Sequence, residues 1–385
     1  MAKLSTRLDG FEESVIRKMT RISNKYNAIN LAQGFPDFDP PKEILDELAR
    51  AAYEGPHQYS ITWGAKDFRE ALAEKQEKFT GLKINPEENI VITCGGTEAM
   101  MTAMMSVCEI GDKVAIFSPF YENYGADTIL CGADPIYIPL NPPNFNFDIK
   151  ALEDAFIQGA KALVLCNPSN PVGKVFTKEE LLDIAALVEK YDAFVITDDV
   201  YEHIVYEPHK HIYFATLPGM LERTISCGSL SKTYSITGWR LGYVIAPKEV
   251  LDNCKKVHDF LTVGAAAPLQ RAATVGLKFG KEYYEELTKA YTKKRDFFLN
   301  GLDSIGLKYF KPEGAYYVMV DIEEFGMASD VEFAEKLIKT VGVAGVPGSS
   351  FFKEDVNTYI RFHFAKKEST LEAALNRLQN IRKFF

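Results

Sequence analysis

Short apolar runs of strand length recur through the middle of the chain: Ile90 to Thr93, Val114 to Phe117, Pro135 to Ile138, Ala162 to Cys166, Phe194 to Thr197, Thr224 to Cys227 and Leu241 to Ala246. Their length and boundaries predict strands. Several intervals between them carry a helical pattern. In Thr177 to Lys190, Thr177 is placed to cap the first turn, and Glu179 and Glu180 lie within it. Alternation of this kind predicts an α/β fold with a mainly parallel, seven-stranded sheet covered on both faces. Ligands of such sheets bind beyond the carboxyl ends of the strands.

The last hundred residues follow another pattern. A charged helical stretch runs from Lys281 to Leu302, followed by strand-like Ala315 to Val320, helix-like Asp330 to Thr340, strand-like Tyr359 to Phe364 and a final helix from Ser369 to Phe384. This predicts a smaller α+β domain over 281–385 beside a large domain over 46–280. The opening segment, 1–45, is too short for a core of its own and is expected to pack on the small domain or a neighbouring subunit. No internal repeat or low-complexity linker interrupts the chain.

Composition narrows the partners. At 385 residues and 46% hydrophobic content the chain can bury more than one ordinary core. Forty-four basic against fifty-three acidic residues give a net charge of -9, with no basic run to neutralise a phosphate backbone, so nucleic acid is not an expected partner. No stretch approaches the ~20 apolar residues that cross a bilayer, and Met1 to Arg7 lead into a charged segment without an apolar signal core. A cytoplasmic location is expected. Cys94, Cys108, Cys131, Cys166, Cys227 and Cys254 are scattered and read as reduced, packed thiols. His203, His209 and His211 share a segment with Pro208 that reads as a solvated loop, and no metal is expected there.

The candidate chemistry gathers at predicted strand ends. Ser229-Leu230-Ser231-Lys232 sets one lysine among hydroxyls, with Arg240 further along, an arrangement that suits a Schiff base to a phosphate-bearing aldehyde. Pyridoxal phosphate meets both demands. Gly95-Gly96-Thr97 joins a strand to a helix whose backbone N–H groups and dipole can meet a phosphate, although taken alone it is also an ordinary turn. The methionines that follow, Met100, Met101, Met104 and Met105, read as core packing. Asp198 closes a strand with Tyr201 three residues on. The carboxylate can keep a pyridine nitrogen protonated and the phenol can bond a ring oxygen, with Asp199 expected to face solvent. Asn170, held between Pro168 and Pro171, presents an amide, and Tyr121 follows a strand where an aromatic can stack on a flat heterocycle.

Taken together, Gln33-Gly34-Phe35-Pro36-Asp37-Phe38, Gly95-Gly96-Thr97-Glu98-Ala99, Asn170-Pro171-Val172-Gly173, Asp198-x-x-Tyr201, Ser229-x-Ser231-Lys232, Gly238-Trp239-Arg240-Leu241-Gly242 and Tyr359-Ile360-Arg361-Phe362 resemble the class I and II aminotransferases, the pyridoxal 5'-phosphate enzymes of fold type I. The resemblance spans nearly the whole chain. It implies ping-pong transfer of an amino group between amino acids and 2-oxo acids, with Lys232 forming the internal aldimine and then moving the proton. It also implies that Asp198 pairs with the pyridine nitrogen, Tyr201 and Asn170 bond the 3-oxygen, and Gly96, Thr97, Ser229 and Arg240 hold the phosphate. Tyr121 would stack on the ring, and Arg361 would clamp the substrate carboxylate beside the Gly34 backbone. Tyr59 would reach the phosphate of the partner subunit, which requires a homodimer.

Within the family, Ile29 to Phe38 looks most like the branch of kynurenine, glutamine and methionine aminotransferases, which favours large apolar or aromatic donors. Phe260 to Pro268 lacks the arginine that one branch of aspartate aminotransferases places there. Two positions depart from the pattern. Thr97 stands where kynurenine aminotransferases often carry an aromatic, and Phe352 where many relatives have glycine. Phe11, Tyr26, Phe35 and Phe352 are candidates for an aromatic pocket wall. The competing readings are an aspartate aminotransferase, a β-lyase acting on cysteine conjugates or cystathionine, and a non-catalytic sensor. The acidic charge balance opposes the sensor.

Overall fold

The computed structural model describes residues 4–9, 11 and 13–385; Met1, Ala2, Lys3, Gly10 and Glu12 of the opening segment lie outside the described residues. All the predicted strands of the large sheet form. Across it they run Ile90–Thr93, Gly242–Ile245, Thr224–Ser229, Phe194–Asp198, Ala160–Cys166, Lys113–Ser118 and Asp134–Asn141, and an eighth strand, Asn146–Phe147, completes the edge. The sequence reading of seven strands is corrected by this last one. It folds back on Asp134–Asn141 as a hairpin pairing Leu140 with Phe147. Two residues beyond a pair of prolines are too short to show as a run. The strands from Thr224–Ser229 to Asp134–Asn141 are parallel, and Gly242–Ile245 alone runs against both neighbours within the interior.

Alternation along the strands divides two cores. Val114, Ile116, Ala162, Val164, Ile196, Ile225 and Val244 face helices Gly96–Val107 and Lys248–Thr262, where Met100 and Met104 are buried as expected and Met105 is not. Ala115, Leu163, Leu165 and Val195 face helices Ile149–Ile157 and Lys178–Lys190. The second of these starts as its sequence demands. The Thr177 side chain accepts from the Glu180 backbone and the Glu180 side chain from that of Thr177, a reciprocal capping box. All six cysteines are free, and four of them are buried.

The C-terminal elements build a four-stranded antiparallel sheet, Tyr309–Phe310, Tyr317–Asp321, Tyr359–His363 and Val346–Pro347. Helix Lys281–Ile305 runs past its predicted end, until Gly306 takes the left-handed conformation at φ 76°. The predicted helix Asp330 to Thr340 is α-helical only over Asp330–Lys336 and widens into a π turn at Leu337–Val341. In the opening segment, Ile29–Asn30 pairs in parallel with Val343–Ala344, and helix Val15–Lys25 lies against Asp330–Lys336. No helix among the described residues is long and apolar enough to cross a membrane.

The histidine segment is not the solvated loop expected from Pro208. The side chains of His203 and His211 are each only 5% exposed, and only His209 is substantially open. They flank a buried ion pair. Lys75 Nζ lies 2.6 Å from Glu202 Oε1, both side chains 4% exposed, and Gln76 and the Tyr213 hydroxyl also donate to that carboxylate. Burial alone would raise the Glu202 pKa, but Lys75 and His203 bring it well below the usual value. Lys75→Ala removes the balancing charge and is expected to lower the unfolding free energy by about 3–5 kcal/mol, measurable by denaturant titration. A loss within ~0.5 kcal/mol would show the pair to be inessential.

Candidate active site

Beyond the carboxyl ends of the parallel strands lies a cavity of about 470 Å3, and every candidate site residue except Tyr59 lines it. Tyr59 is 86% exposed on a neighbouring loop. Lys232 forms the floor from the short helix Leu230–Thr233, which begins where strand Thr224–Ser229 ends and the Ser229 hydroxyl accepts from the Ser231 backbone. Its Nζ donates to the Gly34 carbonyl at 3.2 Å and lies 5.7 Å from the centre of the Tyr316 ring. Burial, and then the Arg240 charge, pull its pKa down to about 8, against the opposing pull of Asp198. An amine so placed is about one-tenth neutral and nucleophilic at pH 7, far more than an ordinary lysine.

Asp198 ends its strand 8% exposed, and its Oδ2 accepts from the Tyr124 hydroxyl at 2.6 Å. Burial raises its proton affinity, with Tyr124 and the Val200 N–H opposing. Asp199 does not face solvent as the sequence suggested. It is 5% exposed and accepts from the Thr197 hydroxyl, because the side chain after a strand end turns to the opposite face and that face is covered here. Tyr201 is buried with its hydroxyl 2.9 Å from that of Tyr317.

A phosphate-sized anion has a prepared corner. Gly96 and Thr97 open helix Gly96–Val107, with Ser229, Ser231 and Arg240 on the same wall. Gly95 has φ +86°, and a Cβ there would lie 2.3 Å from the Arg240 guanidinium, so the backbone and arginine meet only through glycine. At the other end Arg361 is fully buried. It donates from Nη1 to Asn170 Oδ1 at 2.7 Å and from Nη2 to the Ala32 carbonyl at 3.0 Å, while its Nε has no partner. Tyr317 and Phe351 stack against the guanidinium at 4.3 and 4.4 Å. The Asn170 oxygen is therefore engaged by Arg361, and only its Nδ2 can serve an acceptor.

Several lining residues escaped the sequence reading: Ile16 and Arg17 on the first helix, Glu122, Tyr124, Asp127 and Tyr317. Tyr124 carried a signal, since it stands three residues after Tyr121, in the first turn of helix Asn123–Leu130, and the two rings meet edge to face. Asp127, one further turn on, is buried with Oδ2 unpartnered, and burial together with Asp198 raises its pKa to about 7. Of the predicted aromatic walls only Phe35 lines the cavity. Phe11 and Tyr26 are exposed, and Phe352 packs on Tyr359 instead.

A buried low-pKa amine, a carboxyl for a ring nitrogen, an anion corner on a helix N-terminus and a buried guanidinium with an unpartnered N–H together fit pyridoxal 5'-phosphate and a carboxylate substrate.

The comparisons agree with that chemistry. A family model described as aminotransferase class I and II matches residues 26–378. Kynurenine--oxoglutarate transaminase 3 of Bos taurus is 34% identical over 97% of this chain and 89% of its own length. A crystal structure of an Escherichia coli protein with methionine aminotransferase function superposes with a TM-score of 0.94 at 33% identity, over 99% of this chain and 100% of that one. The aspartate aminotransferase of Thermus thermophilus with maleate does so at 0.91 and 31% identity, over 99% and 100%. The chain belongs to the class I and II aminotransferases and is a pyridoxal-phosphate-dependent transaminase.

Proposed function

We propose that this transaminase takes its amino group from large apolar or aromatic donors, such as methionine, glutamine, phenylalanine or kynurenine, and passes it to a 2-oxo acid. The carrying observation is the lining of the Lys232 cavity. Phe35, Ile16, Met100 and Tyr121 supply apolar and aromatic surface to it, and Arg361 offers a buried guanidinium to a carboxylate. Relatives named for kynurenine and methionine support the same class.

Pyridoxal phosphate, when bound, supplies an aldehyde that takes up amino groups and a conjugated ring that accepts an electron pair from carbon. The chain's residues govern the rest. Lys232 Nζ would hold the aldehyde and carry the proton to and from the substrate carbon, and Asp198, steadied by Tyr124, would hold a proton at the ring nitrogen. Tyr201 and Asn170 Nδ2 would serve the ring oxygen. Gly96, Thr97, Ser229 and Arg240 would hold the phosphate, and Tyr121 would stack on the ring. Arg361 orients the carboxylate so that one C–H bond faces the lysine. The division into an opening segment 1–45, a cofactor-binding domain 46–280 and a small domain 281–385 is proposed with it. So is a cytoplasmic homodimer in which Tyr59 reaches across, because Tyr53, Tyr59 and Phe260 are 90, 86 and 90% exposed on one chain.

The test is to mix cofactor-loaded protein with single amino acids, without a keto acid, and follow the absorbance change of the first half-reaction. Fast conversion by methionine, glutamine, phenylalanine or kynurenine but not aspartate is expected. Conversion by aspartate and glutamate alone would overturn the donor class. A pH prediction accompanies it. With a Lys232 pKa of about 8, cofactor-free protein should capture pyridoxal phosphate about tenfold faster per pH unit up to about 8 and then level off. A rate still climbing tenfold per unit above pH 9 would show an unperturbed lysine.

A further inference from the structure

Tyr317 lines the Lys232 cavity from strand Tyr317–Asp321 and touches residues assigned to both the cofactor and the substrate. Its ring lies 4.3 Å from the Arg361 guanidinium, and its hydroxyl is 2.9 Å from that of Tyr201. The two phenols meet edge to face, each 3% exposed. The opening segment leaves room for this hydroxyl, since a Cβ on Gly34 would collide with it. A plain ring suffices to pack against Arg361, as Phe351 does at 4.4 Å. The hydroxyl is therefore surplus to that packing, and a buried hydroxyl is unfavourable unless it is hydrogen-bonded.

Counting protons gives the hydroxyl its direction. Three phenol rings meet here, those of Tyr201, Tyr316 and Tyr317, and each carries one proton to donate. Tyr316 donates to the Gly34 carbonyl at 2.8 Å. Burial lifts the Tyr201 pKa well above its ordinary value, so Tyr201 stays protonated and can donate. When that proton is given to the cofactor's ring oxygen, the lone pairs of Tyr201 remain, and the Tyr317 O–H is the donor that faces them. A phenol that accepts a hydrogen bond becomes a stronger donor through its own proton.

We propose that Tyr317 is a positioning residue for the cofactor: its hydroxyl donates to Tyr201 Oη and so fixes the Tyr201 proton toward the ring oxygen, while its ring braces Arg361. The inference rests on the assignment of Tyr201 to the ring oxygen. The groups around the pair leave its effect readable. Burial holds the Tyr316 and Tyr121 phenols and the Cys166 thiol uncharged, and Arg361 keeps its charge. Asp198, and Asp127 with its pKa of about 7, lie on the same cavity and are unchanged in every variant, so the difference between variants is the readout.

The test follows the absorbance of cofactor-loaded protein against pH, a readout separate from turnover, in the unsubstituted protein, Tyr317→Phe, Tyr201→Phe and the double variant. A donor at the ring oxygen stabilises the deprotonated chromophore, whose negative charge rests partly on that oxygen. Loss of the Tyr317 hydroxyl should move the midpoint upward by about half a pH unit or more, loss of the Tyr201 hydroxyl further, and loss of both no further than Tyr201 alone. The KM of the amino donor should stay within about twofold in Tyr317→Phe, because the ring against Arg361 is kept. Should Tyr317→Phe not fold, Tyr317→Leu is expected to show the same midpoint shift with a raised KM, the ring being lost as well. An unmoved midpoint in the Tyr317 variant beside a moved one in Tyr201→Phe would overturn the inference and leave Tyr201 in its role. Additive shifts would also overturn it, since Tyr317 would then act by a route other than Tyr201. An unmoved midpoint in Tyr201→Phe would remove Tyr201 from the ring oxygen, and the inference with it.

Discussion

Lys232→Ala should abolish turnover while leaving the fold and most of the affinity for pyridoxal phosphate in place. Among the described residues the side chain makes one hydrogen bond, to the Gly34 carbonyl, and that carbonyl keeps a second donor, the Tyr316 hydroxyl at 2.8 Å. No buried acceptor is stranded by the truncation, and a buried cation burdened by desolvation is removed, so the unfolding midpoint should hold or rise. Activity is another matter. The same nitrogen is assigned both the attachment and the proton transfer, and positioned acid–base catalysis alone contributes about 10^2- to 10^4-fold, so a loss in kcat of at least ~10^4 is expected. Steady-state assays, equilibrium binding of the cofactor and thermal melts on the same preparation separate the effects. A variant that folds, binds cofactor and still turns over within tenfold of the parent would remove Lys232 from both roles.

Much of this site was legible because its residues stand at ends of elements whose periodicity is strong. Asp198, Ser229 and the Gly95-Gly96-Thr97 turn each mark the point where an apolar run stops, and in a parallel sheet those points converge. What was not legible is contact between distant segments. The Tyr317 hydroxyl lies where a Cβ on Gly34 would be, 2.3 Å away, so the glycine of the opening segment exists to admit a tyrosine nearly three hundred residues later. No local pattern records that. The burial of Asp199 and His211 escaped for the same reason: the polar, proline-containing segment around Pro208 has the composition of a surface loop, but the end of helix Lys66–Thr80 places Lys75 and Gln76 beneath it and turns its polar groups into a network. The two-residue edge strand and the π turn at Leu337–Val341 are likewise products of packing rather than propensity.

Arg361→Ala is expected to raise KM for the amino donor and lower kcat together, reducing kcat/KM by about 10^2- to 10^3-fold, the range for truncating one member of a buried charge-assisted pair. The argument turns on what holds the guanidinium before any substrate arrives. Two of its nitrogens are fixed by Asn170 and the Ala32 carbonyl, two aromatic rings sandwich it, and no carboxylate among the described residues forms an ion pair with it. Burial lowers its pKa, and Tyr317, Tyr201 and Glu122 oppose that only in part, so the charge is held at a cost that a substrate carboxylate would offset. A uniform loss of affinity would raise KM alone; a loss of orientation would lower kcat as well, because the C–H bond would no longer face Lys232. Arg361→Lys should recover little, since an ammonium cannot reproduce the planar fork. If KM for the donor stays unchanged in Arg361→Ala, the carboxylate is held elsewhere, and Arg17 at the mouth of the same cavity becomes the residue to substitute next.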